Sequence, residues 1–211
     1  AQFLRYYLNT TIVAVAIILA RILFASMAAY AFAFLQFRGR EALFLLFLGT
    51  MMIPFQATII PSYLIIRDLH WFNTFQALIV PRAVDAFSIF LLRQAFISTP
   101  RDYLDAAHLD GCSHWQALWR IVVPLNRPSL VTMSLFTFLF AWNDFLWPLL
   151  VANSEQMRTI QIGLQAFAGR YQTEWTYMMA GTVTATLLPV VFFLLAQRTF
   201  ISGMTRSGLK G

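Results

Sequence analysis

The sequence predicts an all-α, polytopic transmembrane helical bundle, and three observations carry that prediction. Hydrophobic residues make up 59% of the 211-residue chain and charged residues 11%, where soluble domains carry about 25% charged residues. The charges are clustered, with none in residues 42–66 or 175–197, and each run exceeds the ~20 residues that cross a bilayer as a helix. Both runs are apolar on all sides, whereas barrel strands alternate apolar and polar residues over ~10-residue segments. With a mean hydropathy of +0.66, a soluble globular domain and a β-barrel are both excluded.

Five spans follow in order. Residues 6–37 form the first, interrupted by Arg21, and residues 42–66 the second, where Pro54 and Pro61 are expected to kink the helix and free carbonyls along a cavity. Residues 69–92 form the third, carrying Arg82 and Asp85; residues 128–154 the fourth, carrying Asp144; and residues 175–197 the fifth. The chain starts at Ala1 with no initiator Met and no cleavable signal pattern, and its first span begins almost at once, so a longer N-terminus is expected. With no internal repeat and no Gly/Ser-rich linker, residues 1–211 are expected to form one compact unit. The single cysteine, Cys112, has no partner for an intramolecular disulfide or a thiolate metal site.

Charge sets the expected orientation. Alternating the loops gives one side nine basic residues, Arg38, Arg40, Arg93, Arg101, Arg120, Arg127, Arg198, Arg206 and Lys210, and the other four, Arg5, Arg67, Arg158 and Arg170. The positive-inside bias puts the richer side in the cytoplasm. Residues 98–127 and the C-terminal tail are then cytoplasmic, and the net charge of +6 reads as topology. Nucleic-acid binding is disfavoured, because the basic residues are scattered along membrane edges and form no dense basic face.

Residues 98–127 read as two short helices around a break. Thr99 is placed to cap the first, with Pro100 in its first turn and Asp102 near the positive end of its dipole. Gly111 ends it by accepting the left-handed conformation, Ser113 and Gln116 make a capping box for the second helix, and Pro124 is expected to stop that helix. Such an elbow is either a surface presented to a cytoplasmic partner or an ordinary structured loop. Physics alone leaves both open.

The residue pattern separates them. Asp105-Ala106-Ala107, three residues, Gly111, nine residues and Ile121-Val122-Val123-Pro124 resemble the EAA loop of bacterial ABC importer permeases, with Asp105 in place of the usual Glu and Val123 in place of the usual Leu. The segment Ala141-Trp142-Asn143-Asp144 and the tail from Leu195 to Gly211 are similar to carbohydrate-importer permeases of the maltose-permease type, whose members usually have six spans. The resemblance implies a bacterial inner-membrane permease that works with a second permease, an ATPase dimer and an extracytoplasmic solute-binding protein. It implies that ATP and Mg sit on the ATPase partners, and that this chain holds no cofactor, metal or catalytic residue. Asp105, Ala106, Ala107, Asp110, Gly111 and Pro124 would couple ATPase closure to alternating access, and Thr205, Arg206 and Lys210 would form an ATPase-contacting tail. No Gly-x-x-x-x-Gly-Lys-Ser/Thr phosphate loop occurs, and the one lysine is Lys210.

Charges at membrane depth are costly and face a bundle interior or an aqueous cavity. Arg82 and Asp85 are three apart, the spacing of neighbours on one helix face, and are expected to pair locally; Arg21 has no evident partner. The alternative is that Arg82 and Asp85 border the translocation path. Trp142, Asn143 and Asp144 combine an aromatic face with amide and carboxylate acceptors, suiting either a sugar site or interhelical bonding. Polyol and glycerol-phosphate solutes are alternatives to sugars. A secondary transporter would show repeats in matching halves, and an intramembrane enzyme a nucleophile elbow or His-Glu-x-x-His; neither pattern is present.

Overall fold

The structure, a computed structural model, describes residues 2–167 and 175–208, with side chains as far as Gln197. Among the described residues there are helices and no strands. Helix α1 (Gln2–Phe34) is followed by α2 (Arg40–Thr50), α3 (Phe55–Asp68), α4 (Phe75–Ile79) with a 3-10 turn at Val80–Arg82, and α5 (Ala86–Ile97). Then come α6 (Asp102–Leu109), α7 (His114–Ala117), a π-turn at Leu118–Val122, α8 (Val123–Leu125), α9 (Arg127–Asn143), α10 (Leu146–Val151), α11 (Ile160–Gln165) and α12 (Trp175–Gly208).

Of these, α1 and the Trp175–Gln197 part of α12 are each long and apolar enough to cross a membrane unaided, and up to five crossings result if each interrupted helix pair forms one. The interruptions are written in the sequence. Pro54, held at φ −65 and ψ 139, starts α3 and cannot extend α2. Pro81 lies in the 3-10 turn, and Asp85, at φ −145 and ψ 150, caps α5 by accepting from the Ser88 amide at 3.2 Å. The apolar runs are therefore continuous in hydropathy but not in helix.

The chain divides into two compact units, each drawn from separate stretches of sequence. The first comprises Ala1–Leu19, Pro54–Ala83 and Leu135–Leu195. Its core gathers Ala14, Ile17, Leu78, Phe138, Trp142, Trp147 and Val151. Two indoles stitch it: Trp147 donates to the Ala77 carbonyl at 2.8 Å and Trp142 to that of Ala185 at 3.1 Å. Each pairs a buried polar atom that would otherwise be stranded. The start of α1 is fixed by Thr10, whose hydroxyl accepts from the Ile160 amide at 2.8 Å, and by Asn9, which donates to the carbonyls of Gln156 and Arg158.

The second unit comprises Ala20–Ile53, Val84–Ser134 and Ala196–Gly211. Here α1 buries Ala25, Ser26, Ala29 and Ala33, small residues at helical spacing that let backbones approach closely in a membrane bundle. Leu92, Phe96, Leu118, Val122 and Met133 complete that core. In the first unit, Leu4, Leu8, Ile12, Val15 and Leu19 form an exposed apolar stripe on α1. That periodicity fits contact with lipid.

Candidate functional site

The elbow is built by local rules. Helix α6 ends at Leu109, Asp110 follows at φ −76 and ψ 5, and Gly111 sits at φ +81. The Gly111 amide donates to the His108 carbonyl and the Cys112 amide to that of Ala107, at 3.0 and 2.9 Å. This is the six-to-one and five-to-two pairing of a Schellman ending, which needs a left-handed residue where the glycine stands. The Ser113 hydroxyl then accepts from the Gln116 amide, and the Gln116 side chain accepts from the Ser113 amide at 2.9 Å, closing the expected capping box. Cys112, between the two devices, is half-buried and free of any disulfide.

Two expectations about the elbow are corrected. Thr99 does not cap α6; it is buried, and its hydroxyl accepts from Asn126 Nδ2 at 2.9 Å, while Nδ2 also donates to the Val122 carbonyl. The side chains at the two ends of the elbow thus clamp each other. Pro124 does not stop the second helix either. Lacking an N–H, it cannot return a hydrogen bond to Arg120, and the helix widens into the π-turn at Leu118–Val122 before ending at Asn126. The chain then bends by 82° into α9.

Below the elbow, Leu104, Ala107, Ala117, Leu118 and Val122 are buried, and the His114 ring lies 3.0 Å from the Tyr30 hydroxyl through Nδ1. Above it, Asp105, Ala106, Asp110 and Gly111 are exposed. Sequence reasoning missed the apolar residues beside them: Tyr103 is 54%, Trp115 55% and Leu109 89% exposed. An apolar leucine that open at the end of a helix whose inner face is fully packed is the signal that could have identified them. Ala107 is therefore packed beneath the elbow, Pro124 is half-buried, and the other four residues of the motif face outward.

The membrane-depth charges are paired differently from expectation. In the first unit Arg82 Nη2 lies 3.2 Å from Asp144 Oδ2, with the two side chains 12% and 14% exposed. Its guanidinium carbon stands 4.0 Å from the centre of the Phe55 ring and 5.1 Å from that of Phe140, a cation-π setting. In the second unit Arg21 Nη1 lies 3.0 Å from Asp85 Oδ1. The 3-10 turn ends at Arg82 and Asp85 is a cap in extended backbone, so the unbroken helix that an i,i+3 spacing assumes is interrupted here.

Trp142 is buried with its indole N–H satisfied by Ala185, and Asn143 donates to the Leu139 carbonyl at 2.8 Å while Gln161 reaches its oxygen at 3.4 Å. These contacts tie α9 to α11 and α12 within the first unit. The tail residues Thr205 and Arg206 fall within α12, and Lys210 lies outside the described residues.

The arabinooligosaccharides transport system permease protein AraQ of Halalkalibacterium halodurans is 37% identical over 203 residues, covering 96% of this chain and 73% of that protein. The sn-glycerol-3-phosphate transport system permease protein UgpE of Rhizobium meliloti is 33% identical over 205 residues, covering 96% and 73%. In fold, the chain is similar to one from the crystal structure of a bacterial ABC transporter involved in import of the acidic polysaccharide alginate, with a TM-score of 0.82, 24% identity and coverage of 95% and 75%. A family model described as binding-protein-dependent transport system inner membrane component matches residues 8–206. On that match and those identities, the chain belongs to the binding-protein-dependent transport system inner membrane component family.

Proposed function

We propose that this chain is the permease subunit of an ATP-driven importer of sugars or related polyols, fed by a solute-binding protein and driven through its elbow at residues 98–127. The observation that carries the coupling role is the division of the elbow into a packed underside and an outward tip where Asp105, Ala106, Asp110 and Gly111 stand beside exposed Tyr103, Leu109 and Trp115. A bundle has no internal use for an apolar leucine 89% exposed at the end of a polar helix, whereas a partner cleft does. Asp105 and Asp110 supply charge-assisted acceptors at its edge.

In this reading residues 98–127 and the tail are cytoplasmic, and the chain crosses the inner membrane five times. Two ATPase subunits carrying ATP and Mg grip this elbow and that of a second permease, and Thr205, Arg206 and Lys210 reach toward the ATPase pair. Closure of the ATPases pulls the elbow as a rigid lever, and the Thr99–Asn126 clamp passes the pull to α5 and α9. Glycerol-phosphate-type solutes are the second reading, favoured by the relative named for sn-glycerol-3-phosphate transport. The test is ATPase activity of the reconstituted assembly: Asp105→Lys and Gly111→Pro should insert normally and lose stimulation by loaded binding protein. Normal stimulation and uptake in both would overturn the coupling role, and an active chain without any ATPase would mark a secondary transporter instead.

A further inference from the structure

A cluster of charges in the second unit is not used by anything above. Arg40, Arg93 and Arg101 line a cavity of about 170 Å³ together with Phe32 and Ile97, and Arg40 and Arg101 also line an adjoining one of about 480 Å³ with Gln36 and Glu41. Glu41 is the acid of the group. It takes Arg93 Nη2 on both oxygens at 3.1 Å and Arg40 Nε at 3.0 Å. Arg93 is held further by the Phe32 carbonyl at 3.3 Å and by the Phe44 ring, 4.0 Å from its guanidinium carbon. Two guanidiniums therefore share one carboxylate, and Arg101, which lines both cavities, has no ion-pair partner among the described residues. Such a cradle is short of negative charge, and a phosphate oxygen pair matches the guanidinium fork.

Its second half is apolar. Ala42 lines both the larger basic cavity and a groove of about 580 Å³ along α2, formed by Leu45, Leu46, Gly49, Thr50 and Ile53. Leu45 is 65% and Leu46 69% exposed, and the space beside Gly49 is open, with nothing within 4 Å of where a Cβ would stand. A basic cavity continued by an apolar groove has the shape of an amphiphile.

We infer that the Arg40–Arg93–Arg101 cradle binds a phosphate-bearing anion, and that its source is an anionic phospholipid whose acyl chain lies along α2. Free phosphate would use the arginines and leave the groove idle, whereas a lipid uses both. This rests on the reading of the chain as a membrane permease, since the groove must meet the bilayer. Basic pockets at helix ends are a recurrent way to hold lipid headgroups.

The test uses the complete transporter with its partners, titrated in detergent with phosphatidylglycerol, phosphatidylcholine and inorganic phosphate, and read by native mass spectrometry and equilibrium binding. Phosphatidylglycerol should be retained over phosphatidylcholine. Arg101→Gln should weaken it by about tenfold through loss of one charged hydrogen-bonding group. Gly49→Leu fills the groove and spares the cradle, so it should weaken the lipid and leave inorganic phosphate unaffected. Equal retention of both lipids, or a Gly49→Leu variant that binds phosphatidylglycerol as the parent does, would overturn the inference. So would absence of bound lipid because a partner subunit covers α2. Stimulated ATPase activity in the same preparation reports separately on the permease reading.

Discussion

The elbow and the Arg82–Asp144 pair use their carboxylates in opposite ways. Asp105 and Asp110 stand in water on a surface whose support lies underneath them, in Leu104, Ala107 and Leu118. Asp144 is 14% exposed and accepts from Arg82 and from the Trp147 amide. An exposed carboxylate can be changed with little effect on folding, so its loss reports on what it touches outside the chain. A buried one answers a charge that cannot reach water, so its loss reports on the fold itself. The two regions can therefore be separated by measuring stability and coupling on the same variants.

The largest expected effect is on the buried side. Asp144→Ala removes one member of a largely buried ion pair and should destabilise the protein by about 3–5 kcal/mol, seen as a lower thermal midpoint in detergent and a poor yield. Replacing both partners with Arg82→Met and Asp144→Leu should recover most of it. If the single variant is as stable as the parent, the pair is not structural and the contrast fails.

Next is the clamp at the base of the elbow. Asn126→Ala removes a buried donor shared by Thr99 and Val122, with an expected loss of about 1–3 kcal/mol. Because it lies between the surface and the spans, it should also lower stimulated ATPase activity. Unchanged stimulation with reduced stability would mean that the clamp only folds the loop.

Gly111→Ala sharpens the comparison further. Nothing would touch the added methyl, yet φ is +81 there, so the penalty is conformational, about 1 kcal/mol. Coupling should fall more than stability does. Smallest in stability is Asp105→Ala, within about 0.5 kcal/mol, while binding protein should stimulate its ATPase partners distinctly less. A large drop in its thermal midpoint would show the carboxylate to be a folding element after all.

The same contrast governs what could be read from the residues. Gly111, Ser113 and Gln116 act over three or four positions, so their spacing specifies their bonds, and the Schellman ending and capping box stand where the sequence puts them. Arg82 and Asp144 are 62 positions apart, and no periodicity links them. The local rule that joined Arg82 to Asp85 assumed an unbroken helix, and Pro81 with an extended Asp85 removed that assumption. Thr99 was misassigned for a related reason. A hydroxyl before a helix is a good cap unless a distant donor claims it, and Asn126 does so from 27 positions away. The apolar runs mark candidate spans, but hydropathy alone is blind to the breaks at Pro54 and Asp85.

Cys112 has a practical consequence. It is the chain's only cysteine, half-buried just beyond the left-handed glycine, with its amide tied back to Ala107. A fluorophore or spin label added to the unmodified chain therefore attaches at one known place, at the pivot between α6 and α7. Its probe would ride on backbone already fixed by two hydrogen-bonded devices, so its signal would follow movement of the elbow as a body rather than wobble of the attachment point. On the proposed orientation, a polar maleimide should modify the thiol in inside-out vesicles and spare it in intact cells, and labelling from outside intact cells would overturn that orientation.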